Sequence, residues 1–176
     1  MGSGADLLGE SRHPPFASRS KSLASEFQPY IVARMLEAAA IAKSDWVLEI
    51  GAGSGYQAGL AAKLGREVCA LERHEAFGGA RPVAPSVSRL PQCGSASRQR
   101  DRSMAGRRRV RVILVSAAGA QTPAVLKTQL TPLGRLLIPL GDPGGVQWLT
   151  KLTSEPDGSF IEERIEEVRF VPLISG

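Results

Sequence analysis

The sequence predicts one α/β domain with a doubly wound, mostly parallel sheet and an antiparallel C-terminal edge. Short apolar runs typical of buried parallel strands alternate with stretches of helical period. A glycine-rich turn joins the first of these runs to a helix. Residues 146–174 instead alternate in polarity around a Pro-Asp-Gly turn, as antiparallel strands do.

The elements follow in order along the chain. Four apolar residues at helical spacing predict an amphipathic helix over residues 28–42: Ile31, Met35, Leu36 and Ala39. SDWVLEI predicts a buried strand, GAGSG a turn, YQAGLAAKLG a helix that ends at Gly65, and EVCALE the next strand. VILVSAAGA predicts another strand, TPAVLKTQL a helix with Pro123 in its first turn, and GRLLIPLG a further strand.

Length and charge suggest how these elements are organised. The 176 residues, 43% of them hydrophobic, suit a single domain over residues 1–176, with a loose, polar arm over residues 1–24. The net charge is +5, but nine Arg, one Asp and no Lys lie in residues 77–111, which therefore carry +8 and leave −3 for the rest. This basic segment has no apolar period, so we expect it to be irregular.

Two interpretations of the basic segment remain. It is either a disordered insertion that binds nucleic acid or acidic partners, or the product of out-of-frame translation. We favour the second, because Arg, Ser, Gly and Pro are common in shifted frames of GC-rich DNA. No aromatic residue follows Phe77 in the segment, so base stacking is unsupported and we expect no specific nucleic-acid partner.

Other features narrow the class of protein. The sequence has no run of about 18 apolar residues, so it predicts no membrane span. The N-terminus does not show the pattern of a secretory signal. The two cysteines, Cys69 and Cys93, have no metal spacing, and the two histidines are isolated. We therefore expect no metal, no disulfide, no membrane partner and a cytoplasmic location.

The glycine turn carries the main functional signal. Gly51, Gly53 and Gly55 stand directly between a strand and a helix, where glycines let the backbone approach a ligand and the helix offers free N–H groups. Glu49 ends the first strand, faces the predicted crevice and can hold a cationic amino group. Glu72 ends the second strand, where its carboxylate can accept both ribose hydroxyls.

The cofactor follows from this spacing. The third glycine comes one residue earlier than in the dinucleotide pattern G-x-G-x-x-G, which together with Glu49 favours S-adenosylmethionine over NAD. The alternative is that the glycines merely close a tight turn. The predicted cofactor-binding residues are Glu49, Gly51, Ala52, Gly53, Ser54, Gly55 and Glu72.

Several blocks, in this order, resemble the bacterial protein-L-isoaspartate O-methyltransferase family: QPYIVARMLEAAAI, VLEIGAGSGYQAGLAAKLG, ILVSAAGAQTPAVLKTQL, GRLLIPLG and VRFVPLI. The resemblance covers roughly residues 28–76 and 112–174. It implies a Rossmann-like fold of the class I methyltransferase type. It also implies a repair enzyme that transfers a methyl group from S-adenosylmethionine to the free carboxylate of isoaspartyl residues in damaged proteins, which are then its partners. We expect the protein to be a monomer.

Two of the chain's departures from the family concern the site. The family has Gly-Gln-Thr-Ile-Ser immediately before QPY, and its serine is the residue usually assigned to the active site. Here the stretch is LASEF, so Ser25 takes the threonine position and becomes the candidate catalytic residue, while Phe27 takes the serine position. The basic segment stands where the family has its third strand. We therefore expect impaired activity, with an inactive cofactor- or protein-binding remnant and a different class I methyltransferase as the alternatives.

Overall fold

The structure is a computed structural model that describes residues 29–72, 87–90, 109–142 and 145–173. The helices are α1 Pro29–Ala39, α2 Tyr56–Leu64 and α3 Ala124–Thr128. The strands are β1 Trp46–Ile50, β2 Glu67–Leu71, β3 Val87–Leu90, β4 Val110–Val115, β5 Leu130–Gly141, β6 Gln147–Ser154 and β7 Phe160–Val168. No helix in these described ranges is long and apolar enough to cross a membrane.

The strands form one seven-stranded sheet in the order β3-β2-β1-β4-β5-β6-β7. The pairs from β3 to β5 are parallel, and β6 and β7 add antiparallel pairs at the C-terminal edge. The order reverses direction between β1 and β4, which places a crevice at the carboxyl ends of these two strands. The predicted fold class is confirmed.

Two apolar layers hold the sheet between helices. One layer joins α1 and α2 to the sheet through residues such as Met35, Ala61 and Val47. The other layer lies on the opposite face, where α3 contributes Leu126 beside Ile113. Strand side chains alternate between the faces, so a strand that is apolar throughout supplies both layers.

The amphipathic character of α1 is confirmed, with one difference in the buried stripe. Met35, Leu36 and Ala39 are buried as predicted, but Val32 is fully buried while Ile31 is only partly buried. Both residues are apolar and adjacent, so the 3.6-residue period alone does not show which of them is buried. The angle at which α1 packs on the sheet determines this.

Two strands lie inside the segment predicted to be irregular. Residues 87–90 form β3, which pairs in parallel with β2, and β4 begins at Val110, two residues before the predicted start. The prediction is wrong for these residues. β3 is an edge strand, which is held by backbone hydrogen bonds to β2 and needs no long apolar run. Val110 and Arg111 belong to the central strand β4, where Val110 pairs with Leu130 of β5. The other residues of 77–108 and the predicted arm over residues 1–24 lie outside the described residues.

The helix after β4 is shorter than predicted. Instead of a helix through Leu130, α3 has five residues, Pro123 precedes it, and Leu130 opens β5. Leu130 pairs with Val110, and the register then shifts. At this irregularity Gly134 is needed because an added Cβ would lie 2.7 Å from the Thr131 carbonyl oxygen.

The amino ends of the strands are fixed by a buried ion pair. Arg135 donates from Nη2 to the Asp45 carboxylate at 2.9 Å and from Nη1 to the Ala40 carbonyl at 2.8 Å. Asp45 also accepts from the Ala42 N–H at 3.0 Å. The contacts connect the end of α1 to β5, so α1 begins at the opposite, carboxyl side of the sheet.

Candidate functional site

The glycine turn begins where β1 ends. Gly51, Gly53 and Gly55 have φ values of +81°, +50° and +81°. Residues with a Cβ adopt this left-handed region at a cost of about 1–2 kcal/mol each. The three glycines are therefore required by backbone conformation, and they turn the chain from β1 directly into α2.

The turn is bonded to the end of β2. Gly51 and Ala52 both donate their N–H groups to the Leu71 carbonyl, at 2.9 and 3.1 Å. Gly53 donates its N–H to Oε2 of Glu72 at 2.6 Å. The structure thus brings together the turn and the acid that follows β2, as the sequence predicted, and orients the Glu72 carboxylate by a charge-assisted hydrogen bond.

Glu49 lies deeper than the sequence suggested. It is the fourth of five residues in β1 and is fully buried. Its register partners are Ala70 on β2 and Leu114 on β4, both in the apolar layer beneath α1 and α2. Because strand residues alternate, its side chain points into this layer on the same side as Val47, so its predicted position on the open crevice is corrected.

One side of the turn is open. Ser54 is exposed, and a Cβ added to Gly53 would meet no atom within 4 Å. The turn therefore presents bare backbone, next to the Glu72 carboxylate and the N-terminus of α2. An adenosine-containing cofactor fits these residues: the glycine backbone admits close approach, and a carboxylate such as that of Glu72 is the type of acceptor that binds ribose hydroxyls.

The end of β4 borders the same crevice. Ser116 donates its N–H to the Ile50 carbonyl at 2.8 Å, and its Cβ lies 3.5 Å from the position that a Cβ of Gly51 would take. Ala118 then pairs with the C-terminal segment, donating its N–H to Val171 and accepting from Leu173. The chain after β7 therefore returns to this carboxyl edge of the sheet.

Two buried polar residues at this edge were not identified from the sequence. Gln57 is 1% exposed and Ser116 is 3% exposed. Their signal in the sequence is a polar residue on the inward face of the short helix that begins at Tyr56, and another directly after the apolar strand VILV. Polar side chains at such positions need hydrogen-bond partners.

The predicted catalytic residue cannot be placed. Ser25 and Phe27 lie outside the described residues, which begin at Pro29. What the structure does describe is the start of α1 on the carboxyl side of the sheet. The role of Ser25 stays a prediction.

The sheet order and the glycine turn define a Rossmann-like methyltransferase fold. A putative protein-L-isoaspartate O-methyltransferase from Plasmodium falciparum, solved with S-adenosyl-L-homocysteine, superposes with a TM-score of 0.67 at 20% identity, over 90% of this chain and 78% of that one. A precorrin-6y C5,15-methyltransferase from Geobacter metallireducens superposes with a TM-score of 0.53 at 14% identity, over 85% and 89% of the two chains.

Sequence comparison resolves the family. The model of the protein-L-isoaspartate(D-aspartate) O-methyltransferase family matches residues 18–80 and 109–176, so the chain belongs to this family. The match omits residues 81–108, most of the basic segment. The protein-L-isoaspartate O-methyltransferase of Methylorubrum extorquens is 45% identical over 153 residues, 85% of this chain and 64% of the relative. The enzyme of that name from Rhodopseudomonas palustris is 38% identical over 96% of this chain and 76% of its own length.

Proposed function

We propose that the protein is an S-adenosylmethionine-dependent protein-L-isoaspartate O-methyltransferase. It transfers a methyl group to the free carboxylate of isoaspartyl residues in damaged proteins, and these proteins are its partners. The observation that carries the proposal is the hydrogen bond from Gly53 to Glu72 at the end of β1 and β2. In a chain of this family, that contact supports Glu72 as the ribose acceptor, because it holds the carboxylate beside bare glycine backbone.

The proposed cofactor site consists of the residues of β1, the turn and the end of β2: Glu49, Gly51, Ala52, Gly53, Ser54, Gly55 and Glu72. Glu72 accepts hydrogen bonds from the ribose hydroxyls. The glycines let the cofactor approach the backbone closely, and the buried Glu49 carboxylate attracts the ammonium group of the methionine part. S-Adenosylmethionine supplies a methyl group on a sulfonium, which is already an activated donor.

The remaining work of the protein is alignment. An isoaspartyl carboxylate is ionised at neutral pH and is itself a nucleophile, so the reaction needs no general base. The chain must hold the carboxylate in line with the methyl group and exclude water. The methyl ester then closes to a succinimide, with loss of methanol, and hydrolysis of the succinimide returns part of it to normal aspartate.

The residue at the family's serine position affects this alignment. Phe27 has no hydrogen-bond donor, and loss of one catalytic donor costs about 10²–10³ in rate. Ser25 is two residues earlier and is the hydroxyl that we propose in its place. We therefore expect weak methyl transfer, with cofactor binding retained.

A methyl-transfer assay on matched peptides tests the proposal. The protein should transfer labelled methyl from S-adenosylmethionine to an isoaspartyl peptide and not to its aspartyl twin, and Glu72→Ala should lower this rate. Methylation of both peptides alike would favour a different class I methyltransferase. Binding of S-adenosylhomocysteine without transfer to either peptide would identify the inactive remnant.

We also propose that the protein acts as a cytoplasmic monomer without specific nucleic-acid or membrane partners. The two cysteines without metal spacing support a reducing compartment. Size-exclusion chromatography with light scattering at several concentrations tests the oligomeric state, and a dimer would refute the proposal.

A further inference from the structure

The amino edge of the sheet contains an open pocket of about 650 Å³. It is bordered by the loop from α1 to β1, the start of β4 and the start of β5. A volume of this size suits a small molecule. The five residues of β1, at about 3.3 Å each, separate the pocket from the glycine turn at the other end of the strand. The pocket is therefore distinct from the proposed cofactor site.

One side of the pocket is fixed by the ion pair that joins α1 to β5. Arg135 and Asp45 both line the pocket, and Arg135 also donates to the Ala40 carbonyl. These contacts hold the guanidinium in place and balance its charge with that of the carboxylate. The pair therefore gives the pocket a rigid wall and no net charge.

The other two arginines of the pocket supply positive charge without a counter-ion. Arg109 and Arg111 form no ion pair with any residue that the structure describes. Arg111 donates from Nη1 to the Pro132 carbonyl at 2.6 Å, which orients its guanidinium and leaves its other N–H groups available. Three arginines and one aspartate line the pocket, so its lining carries a net charge of +2.

This combination of charge and shape favours a doubly charged anion. Positive charges that share a pocket raise the local potential, and a bound anion relieves it. The planar guanidinium donates two parallel hydrogen bonds to phosphate oxygens, and a phosphate monoester carries close to two negative charges at neutral pH. Trp46 and Pro132 add apolar surface to the same lining.

We propose that the pocket binds a small phosphate monoester. Arg109 and Arg111 donate hydrogen bonds to the phosphate oxygens, and Trp46 and Pro132 contact the organic part of the ester. The proposal goes beyond methyl transfer, because it assigns a second ligand to the opposite edge of the sheet.

Two ligands with the same ring and different charge test the proposal by calorimetry on the full chain. At about pH 8 and fixed ionic strength, phenyl phosphate is a dianion and benzoate a monoanion. Phenyl phosphate should bind at one site per chain, and benzoate about tenfold more weakly or less. Arg109→Gln and Arg111→Gln should each weaken phenyl phosphate binding about tenfold or more, the effect of losing a hydrogen bond between charged groups. Arg164→Gln removes an exposed arginine of β7 and is the matched control, with affinity within about twofold of the parent.

Thermal unfolding separates binding from a structural role. Without ligand, Arg109→Gln should melt at the parent's temperature or higher, because it removes an unpaired charge, while the shift caused by phenyl phosphate becomes smaller. A lower melting temperature without ligand would overturn the proposal, as would equal affinity for the two ligands. Unchanged binding in both pocket variants would place the phosphate on other arginines, and an equal loss in Arg164→Gln would indicate a general effect of charge. Displacement of phenyl phosphate by S-adenosylhomocysteine would place it at the glycine turn. Phenyl phosphate binding does not require the cofactor, so the pocket and the proposed function fail independently.

Discussion

The backbone N–H of Gly53 donates to Oε2 of Glu72 at 2.6 Å, joining the turn after β1 to the residue after β2. The contact spans 19 positions of sequence and connects two parallel strands at their carboxyl ends. It makes Glu72 both a support of the glycine turn and the proposed ribose acceptor. Substitutions at this pair therefore test structure and binding together.

Replacing Glu72 tests its proposed contact with the ribose. Glu72→Ala removes the acceptor for Gly53 and two proposed hydrogen bonds to ribose, each worth about 1.5–3 kcal/mol when an ion takes part. Calorimetry should show S-adenosylhomocysteine binding at least tenfold weaker. Glu72→Gln keeps one acceptor oxygen and should lose less. If both variants match the parent, or if the parent prefers NAD, the ribose assignment is wrong.

Gly53→Ala should impair binding as well as stability. At φ +50° a Cβ costs about 1–2 kcal/mol, and it would stand on the open side of the turn, where the cofactor approaches. Gly158→Ala is the matched control, because Gly158 has φ +87° and equally open surroundings in the β6–β7 turn. Urea denaturation should show similar losses for both variants, and titration a lower affinity for the Gly53 variant alone. Equal affinities would place the ligand elsewhere.

The Asp45–Arg135 pair should stabilise the amino edge of the sheet. The two side chains are 8% and 17% exposed, and Asp45→Ala would leave the guanidinium of Arg135 without its counter-ion. Removing one member of a buried pair typically costs about 3 kcal/mol or more, measured here as the free energy of unfolding in urea. Glu163→Ala breaks the exposed pair with Lys151 and should change stability by less than about 0.5 kcal/mol. Similar small losses in both variants would contradict the structural role of the buried pair.

The stretch before α1 should limit turnover. Replacing residues 23–27, LASEF, by Gly-Gln-Thr-Ile-Ser, or making Phe27→Ser alone, restores the family's hydroxyl and should raise isoaspartyl methylation by about 10²-fold. S-Adenosylhomocysteine affinity serves as the control for an intact cofactor site. Rapid turnover by the unmodified chain would mean that Phe27 does not hinder the reaction.

Trypsin should first cut the chain among residues 91–108, which contain five of the nine arginines in the basic segment. This expectation is drawn from the sequence, which has no apolar period in this stretch and concentrates arginines there. The two fragments should elute together on size exclusion, because β1 on the first pairs with β4 on the second. Initial cleavage at Lys43 or Lys63 instead would contradict this expectation.

The sequence alone determined the order of the strands and helices along the first half, the glycine turn and the acid at position 72. These features are local, because apolar strands, helical period and glycines in turns can each be recognised within a few residues of sequence. The family blocks added the class of reaction. The basic segment was judged by the same local rules, and those rules missed β3 because an edge strand depends on its neighbour's backbone.

Tertiary structure decided what depends on distant contacts. Strand pairing buried Glu49 between β2 and β4, although its position in the sequence placed it on the crevice. The packing of α2 and the end of β4 against one layer brought Gln57 and Ser116 behind the turn, 59 positions apart in sequence. Burial of a polar side chain depends on which helices and strands pack over it, and the local sequence does not specify these elements.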